Sequence, residues 1–340
     1  MNSDQSPMPV KSAIRDPKST IILFLLLFAA ACGKIQEKPP VKIATDIWPG
    51  YAHALLAQEL GLFKKNRVEV QLIMNENISV SSEMFKNGEV DGLFQTLADI
   101  IVLNSQGFRS KIVYVADYSD AGDVIIGRPE FSTLKDLKGK IVSFEGINSF
   151  SHVFVLEALE KAGLRELDIK FENLPAMDVL DALEKGKIDA GHTWEPIKSR
   201  AVNKGYKILG KAGDMQGLIT DILAFGSEIL QERPDDIQRI IKSLFEAKEF
   251  IKANREKAVT IMAKATGMST SEMEEGLKGA HACEVEDNLA AMRPSEELAS
   301  LSSSGKIISE FLLNRGQLNR MPDMEAIVEP GFIKAIAGKQ

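Results

Sequence analysis

Hydrophobic and polar positions along this chain follow two periods that take turns. Val41-Lys42-Ile43-Ala44 reads as a short strand, after which Ala52, Leu55, Leu56 and Leu60 fall on one helical stripe that Gly61 ends. Val68 to Ile73 alternates with period two, Ser81 to Phe85 suggests a short helix, and Asn87-Gly88 turns the chain into Val90 to Phe94. The same order returns after Gly139. Lys140 to Phe144 reads as a strand, Val155, Ala158, Leu159 and Ala162 form a stripe stopped by Gly163, and Val179, Ala182 and Leu183 form the next, stopped near Gly186. Strands alternating with helices of this length predict βαβ units and mainly parallel sheets flanked by helices on both faces. The last third reads as mostly helical: Ile237, Ile240, Ile241, Leu244 and Ile251 share a face, with Pro234 near a helix start, where proline is tolerated.

Asp123 to Gly127 ends the first βα group and Thr220 to Gly226 ends the second, and each is a β-prone run with a glycine able to absorb a bend. These two runs predict a two-strand hinge between two α/β lobes. Residues 41–123 and 222–340 form the discontinuous first lobe and 124–221 the second. A ligand cleft is expected where strand ends of the two lobes face each other.

The chain start carries a different signal. Lys11, Arg15 and Lys18 precede an uncharged run from Ile21 to Ala31, too short to span a bilayer but of the length of a signal-peptide core. It ends in Ala29-Ala30-Ala31-Cys32-Gly33, which resembles the lipobox of bacterial lipoproteins, although Ala29 stands where that motif usually has Leu. Residues 1–32 then read as a signal peptide ending at a lipidated Cys32, and 33–40 as a polar tether; an ordinary secretory peptide cut after Ala31 is the alternative. The expected location is a cell membrane, lipid-anchored on its periplasmic or extracellular face.

With 340 residues and 44% hydrophobic content, the chain is long enough for two lobes of ordinary domain size. Acidic residues outnumber basic ones 48 to 41, for a net charge of −7, and no Lys/Arg run appears, which argues against a nucleic-acid partner. Cys283 is the one cysteine besides Cys32, so no intramolecular disulfide is expected between mature cysteines other than the lipidated one, and Cys283 reads as a small buried hydrophobe.

Four short motifs in order carry a resemblance: Trp48-Pro49-Gly50-Tyr51 followed by Gly61-Leu62-Phe63; Gly88-Glu89-Val90-Asp91-Gly92; Leu134-Lys135-Asp136-Leu137-Lys138-Gly139-Lys140; and Gly186-Lys187-Ile188-Asp189-Ala190 before Trp194-Glu195-Pro196. Together they resemble the type II periplasmic binding proteins that serve nitrate, sulfonate, taurine and thiamine-precursor ABC importers. The resemblance implies a monomeric two-lobed binding protein that captures a small solute by hinge closure and hands it to a membrane permease, with no cofactor and no metal. It also implies that the residues following the fourth motif's strand, Trp194 and Glu195, face the cleft.

The rims of that cleft supply the candidate ligand contacts. Trp48, Gly50 and Tyr51 lie at a strand end and helix start, where free N–H groups and aromatic faces are available; packing of Trp48 and Tyr51 against the lobe is the alternative. Gln95 and Thr96 open the next helix, and Asn148, Ser149, Ser151 and His152 form the matching rim of the second lobe, where capping and binding are compatible. Asp120 and Asp221 complete the set. No arginine occurs in these rims, whereas Asp46, Asp117, Asp120, Asp123, Glu145, Glu195 and Asp221 all fall near predicted strand ends or crossings. About half of these acids are expected to be caps or solvated. The rest favour a polar, amino-bearing or cationic solute, with Trp194 beside Glu195 as the anchor. Binding of sulfonate, taurine or nitrate through backbone N–H groups stays open, as do a sensor subunit and a pyrimidine-synthase-like enzyme. For the enzyme, His53, His152, His192 and His281 are bases on paper, but no metal-binding or nucleophile motif accompanies them.

Overall fold

A computed structural model describes Met1 and residues 38–75 and 78–338; Cys32 and the signal segment lie outside the described residues. Pro40–Gln340 form one compact unit built on two sheets. The first has the order β11-β4-β10-β3-β1-β2, from β1 (Val41–Thr45), β2 (Val70–Met74), β3 (Gly92–Thr96), β4 (Ser110–Ser119), β10 (Thr220–Gly226) and β11 (Ala280–Ala282). The second has the order β7-β6-β8-β5-β9, from β5 (Val124–Gly127), β6 (Ile141–Phe144), β7 (Lys170–Asn173), β8 (Ala190–Thr193) and β9 (Lys207–Lys211). The two-lobed α/β architecture expected from the hydrophobic pattern is therefore present.

Both sheets are mixed rather than mainly parallel. The βαβ portions pair in parallel, β1 with β2 and β3, and β6 with β7 and β8. β10 and β5, which follow the crossings between sheets, run antiparallel to both their neighbours. A chain that leaves one sheet at its cleft edge and enters the other at its cleft edge must run away from the cleft, opposite to the strands that end there. The strand-like runs at 123–127 and 220–226 are thus mostly sheet interior, and the crossings precede them, at 120–123 and 212–219. Burial on both faces explains why β3, β5, β8 and β10 show no alternation of polar and apolar residues.

The first crossing is pinned by one acceptor. The carbonyl of Gly279 receives the N–H groups of Asp120, Ala121 and Gly122 at 2.9, 3.0 and 2.9 Å. Gly122 has to be a glycine, because a Cβ there would sit 2.3 Å from the Trp48 ring.

The helices Ala52–Glu59, Pro234–Ala253 and Arg255–Thr266 pack together beside the first sheet. Their facing side chains include Leu56, Ile240, Ile241 and Leu244, all buried. In the second sheet, Val124 and Ile126 meet Val179, Leu183 and Ile188 in a smaller core. Among the described residues, no helix is long and apolar enough to cross a membrane.

Candidate ligand-binding cleft

A cavity of about 290 Å³ lies between the two sheets. It collects residues from the carboxyl ends of parallel strands in both: Asp46 and Trp48 after β1, Thr96 at the end of β3, Glu145 after β6 and Trp194 after β8. Asp123 and Asp221, at the starts of the antiparallel β5 and β10, reach the same edge. Side chains from the two sheets meet across the space, with the Trp48 and Trp194 rings edge to face at 5.7 Å and 78°.

Several polar wall residues are held from behind. The Asp46 carboxylate accepts the Trp48 backbone N–H at 2.8 Å, and the Trp48 indole N–H points to both oxygens of Asp117, at 3.3 and 3.4 Å. Tyr51 donates its hydroxyl proton to Asp221. Thr96 donates to Asp99 at 2.6 Å while capping the helix Leu97–Ser105. Behind Asp123 stands a relay: His192 Nε2 lies 2.7 Å from the Asp123 carboxylate, and its Nδ1 lies 2.7 Å from Ser151 Oγ, which in turn accepts the Glu145 N–H at 3.0 Å.

The electrostatics follow from this crowding. Burial raises the Asp46 carboxyl from 3.8 to about 7, with the repulsion of Glu145 and Asp123 adding to it against the opposing Trp48 hydrogen bond. Burial also pushes Glu145 upward. Asp99, behind the wall, is raised by burial to about 6. Asp46, Asp123, Glu145, Asp178 and Asp221 all line the cavity, and no Lys, Arg or His among the described residues does. The Tyr51 and Thr96 hydroxyls and the Trp48 indole N–H are already spent on carboxylates. The lining side chains therefore offer acceptors and aromatic faces.

Of the rim residues singled out from the sequence, Trp48, Tyr51, Thr96, Trp194 and Asp221 line the cavity, and the others lie elsewhere. Glu195 is fully buried with its carboxylate on Ser199 N and Oγ and on Lys198 Nζ, at 3.2, 2.9 and 3.0 Å. It is one residue past the wall, where the turn before the next helix puts its side chain onto i+3 and i+4 partners, so of the Trp194–Glu195 pair Trp194 lines the cavity and Glu195 does not. Gln95 points to the other face of β3 and holds Ile78 O and Ser82 Oγ. Gly50 is a packing glycine, since a Cβ would fall 2.0 Å from Asp117 Oδ2. Asp120 belongs to the crossing, where its carbonyl accepts the Gly213 N–H.

The second-lobe rim is likewise structural in its contacts. Ser149 caps the helix Phe150–Lys161, Ser151 serves the relay, and Asn148 adopts a positive φ of 65° and donates its N–H to His152 Nδ1. His152 stacks on Phe144 at 4.1 Å. Cys283 is buried away from the cavity, as its sequence reading held. The wall also contains Ile78, Phe150, Ile219 and the loop Pro175 to Asp178, which the sequence reading did not select. Only Phe150 carried a signal, as the residue following the cap Ser149.

The NMT1-like family model matches residues 34–265. The "Putative aliphatic sulfonates-binding protein" of Escherichia coli (strain K12) is 29% identical over 263 residues, covering 72% of this chain and 77% of its own length. The 4-amino-5-hydroxymethyl-2-methylpyrimidine phosphate synthase THI13 of Saccharomyces cerevisiae is 23% identical over 226 residues, or 62% of this chain and 66% of its own. Among solved structures, the alkanesulfonate-binding protein SsuA of Xanthomonas axonopodis pv. citri, bound to MOPS, superposes with a TM-score of 0.72 at 17% identity, over 87% of this chain and 99% of its own.

Proposed function

The chain belongs to the NMT1-like family, and from that premise we propose that it is the extracytoplasmic solute-binding component of an ABC importer, taking up an amino-bearing, cationic solute. The observation that carries the solute class is the wall itself: carboxylates from both lobes converge on one cavity whose hydroxyl donors are already engaged. A buried carboxylate is stable only with a partner of opposite charge, a hydrogen-bond donor or a proton. An ammonium or protonated heteroaromatic ring supplies charge and donors together, and the faces of Trp48, Trp194 and Tyr51 suit its apolar body. The sulfonate in the names of relatives would meet carboxylates in this wall instead of a cation.

Binding without chemistry is supported by the order of the relay. Ser151, whose hydroxyl meets His192, is at the relay's far end and fully buried, while Asp123 faces the cavity. A nucleophile would need the reverse order. Lipid anchoring at Cys32, a monomeric state and hand-over to a permease complete the proposal, on the sequence motif at 29–33 and the kinship to binding proteins.

The test is a thermal-shift panel of benzylamine, aminopyrimidine, taurine, ethanesulfonate and nitrate, since a ligand bound only by the native state raises its melting temperature. A rise with an amine, lost in Trp194→Ala, is the expected result. A rise with ethanesulfonate or nitrate alone would overturn the cation reading and leave the binding-protein reading in place.

A further inference from the structure

Asp221 and Asp117 face one another across β10 and β4 in directly paired register, both at most 4% exposed. Residues directly opposite on antiparallel strands place their side chains next to each other on one face of the sheet, and Trp48 and Tyr51 reach the two carboxyls as donors. Two buried carboxyls in one site cannot both ionise without strong repulsion, which a single proton held by the pair relieves. We propose that the ligand-free protein keeps one proton on the Asp117–Asp221 pair and releases it when a cation enters the cavity, so that solute binding exchanges one cation for one proton. The inference rests on the cation reading above and adds to it the means by which the empty site is stabilised.

The charges around the pair are consistent with this exchange. From the core side, Lys248 approaches on carbonyl oxygens, with Nζ 2.7 Å from Ala116 O and 2.6 Å from Cys283 O, and acts on Asp117 by its charge. Cys283, Glu284 and Asp287 surround Lys248 in turn. From the cavity side, Tyr51 donates to Asp221, while Asp46 and Asp123 repel it. One lysine balances one of the two carboxylates, and a proton balances the other. Burial and the neighbouring acids hold Asp221 well above the usual carboxylate range. Asp221 is the member of the pair that lines the cavity, so a cation placed there takes over the balancing role of the proton.

The fixed geometry adds to the argument. Trp48 spans both oxygens of Asp117 from one side, and Gly50 leaves no room for a Cβ beside it. Asp117 therefore cannot swing away from Asp221 to relieve repulsion, and protonation is the relief left to the pair.

The experiment has a ligand-free arm and a ligand arm. Native-minus-variant infrared difference spectra of the purified full chain at neutral pH, in which the signal of Asp46 cancels, should show the C=O stretch of a protonated carboxylic acid lost in Asp117→Asn, because the amide N–H₂ can donate to Asp221 without a proton. Asp221→Asn is the second variant with the same expectation. No carboxylic-acid intensity lost in either difference spectrum overturns the shared proton. In the ligand arm, benzylamine, which is already an ammonium ion at neutral pH, is titrated calorimetrically in buffers of different ionisation enthalpy. About one proton should be released per amine bound, and affinity should fall about tenfold per pH unit below the pair's protonation point. Asp117→Asn should remove this dependence. Zero release overturns the exchange. No thermal shift with benzylamine overturns the exchange, and none with aminopyrimidine as well overturns the cation reading, while the infrared difference spectra still decide the proton.

Discussion

A buried carboxylate at a strand end is charged only when something compensates it, and Asp46 shows how little it has. The Trp48 backbone N–H is its hydrogen-bond donor, and Glu145 and Asp123 stand nearby. Its folded-state pKa of about 7 exceeds the ordinary 3.8, so between these values the folded chain holds a proton that the unfolded chain has lost. The contribution of Asp46 to stability therefore falls as pH rises through that window, by an amount on the order of 4 kcal/mol. Asp46→Asn keeps the acceptor for Trp48 and removes the charge. The variant should melt above the native protein at pH values over about 7, with the gap closing below about 4, the limits of the window in which linkage acts; melting curves of both proteins across this range check it. A gap independent of pH would assign the effect to packing. These acids were legible in the sequence, as residues at strand ends without basic neighbours. What could not be read was which face each took: consecutive residues Trp194 and Glu195 separate into wall and core because the turn after β8 folds the Glu195 carboxylate onto the first turn of the helix Ile197–Asn203, and Gln95 turns away because successive side chains of a strand point to opposite faces.

At the level of elements, the period of the hydrophobic pattern located β1, β3 and β6 and the helices that follow them to within a few residues, because local spacing alone determines those stripes. It did not determine strand direction. β5 and β10 look in sequence like any buried strand, and only the path of the chain between sheets makes them antiparallel. Long-range pairing also produced the loop Pro175 to Asp178 as a wall, with no local signal to mark it. The helix Phe150–Lys161 gives a test of how far a single cap supports the cavity. Ser149 accepts the His152 N–H and donates to the carbonyls of Glu145 and Gly146, fixing the turn from which Glu145 and Phe150 enter the wall. Ser149→Ala should cost about 1 kcal/mol in denaturant unfolding and weaken amine binding more than that loss implies. Ser149→Asp, which can still cap, should restore the stability; if Ala and Asp variants unfold alike, the hydroxyl is not the cap.

On the scale of the molecule, the contacts across the cleft are few and of unequal kind. Trp48 meets Trp194 at the cavity, while Arg200 from the helix Ile197–Asn203 pairs with Glu272 of the helix Thr270–Gly279 at 2.8 Å. Arg315, stacked on Phe311, pairs with Glu166 beside the second sheet. Both ion pairs are partly exposed, so each contributes on the order of 0.5 kcal/mol, which is small against the stability of either lobe. Against an open–closed equilibrium poised within a few kcal/mol the same energy counts for more, since about 1 kcal/mol changes a population ratio about fivefold. Removing both pairs with Arg200→Ala and Arg315→Ala should thus leave the melting temperature almost unchanged yet lower the closed fraction of the ligand-free protein about fivefold. Distance distributions between spin labels placed on exposed Glu59 and Glu184 report the change directly. The apparent affinity for an amine should fall by a matching factor, because the solute must then supply the closing energy that the ion pairs supplied. Unchanged distances with reduced melting would place these arginines in the fold of the lobes instead of in their closure.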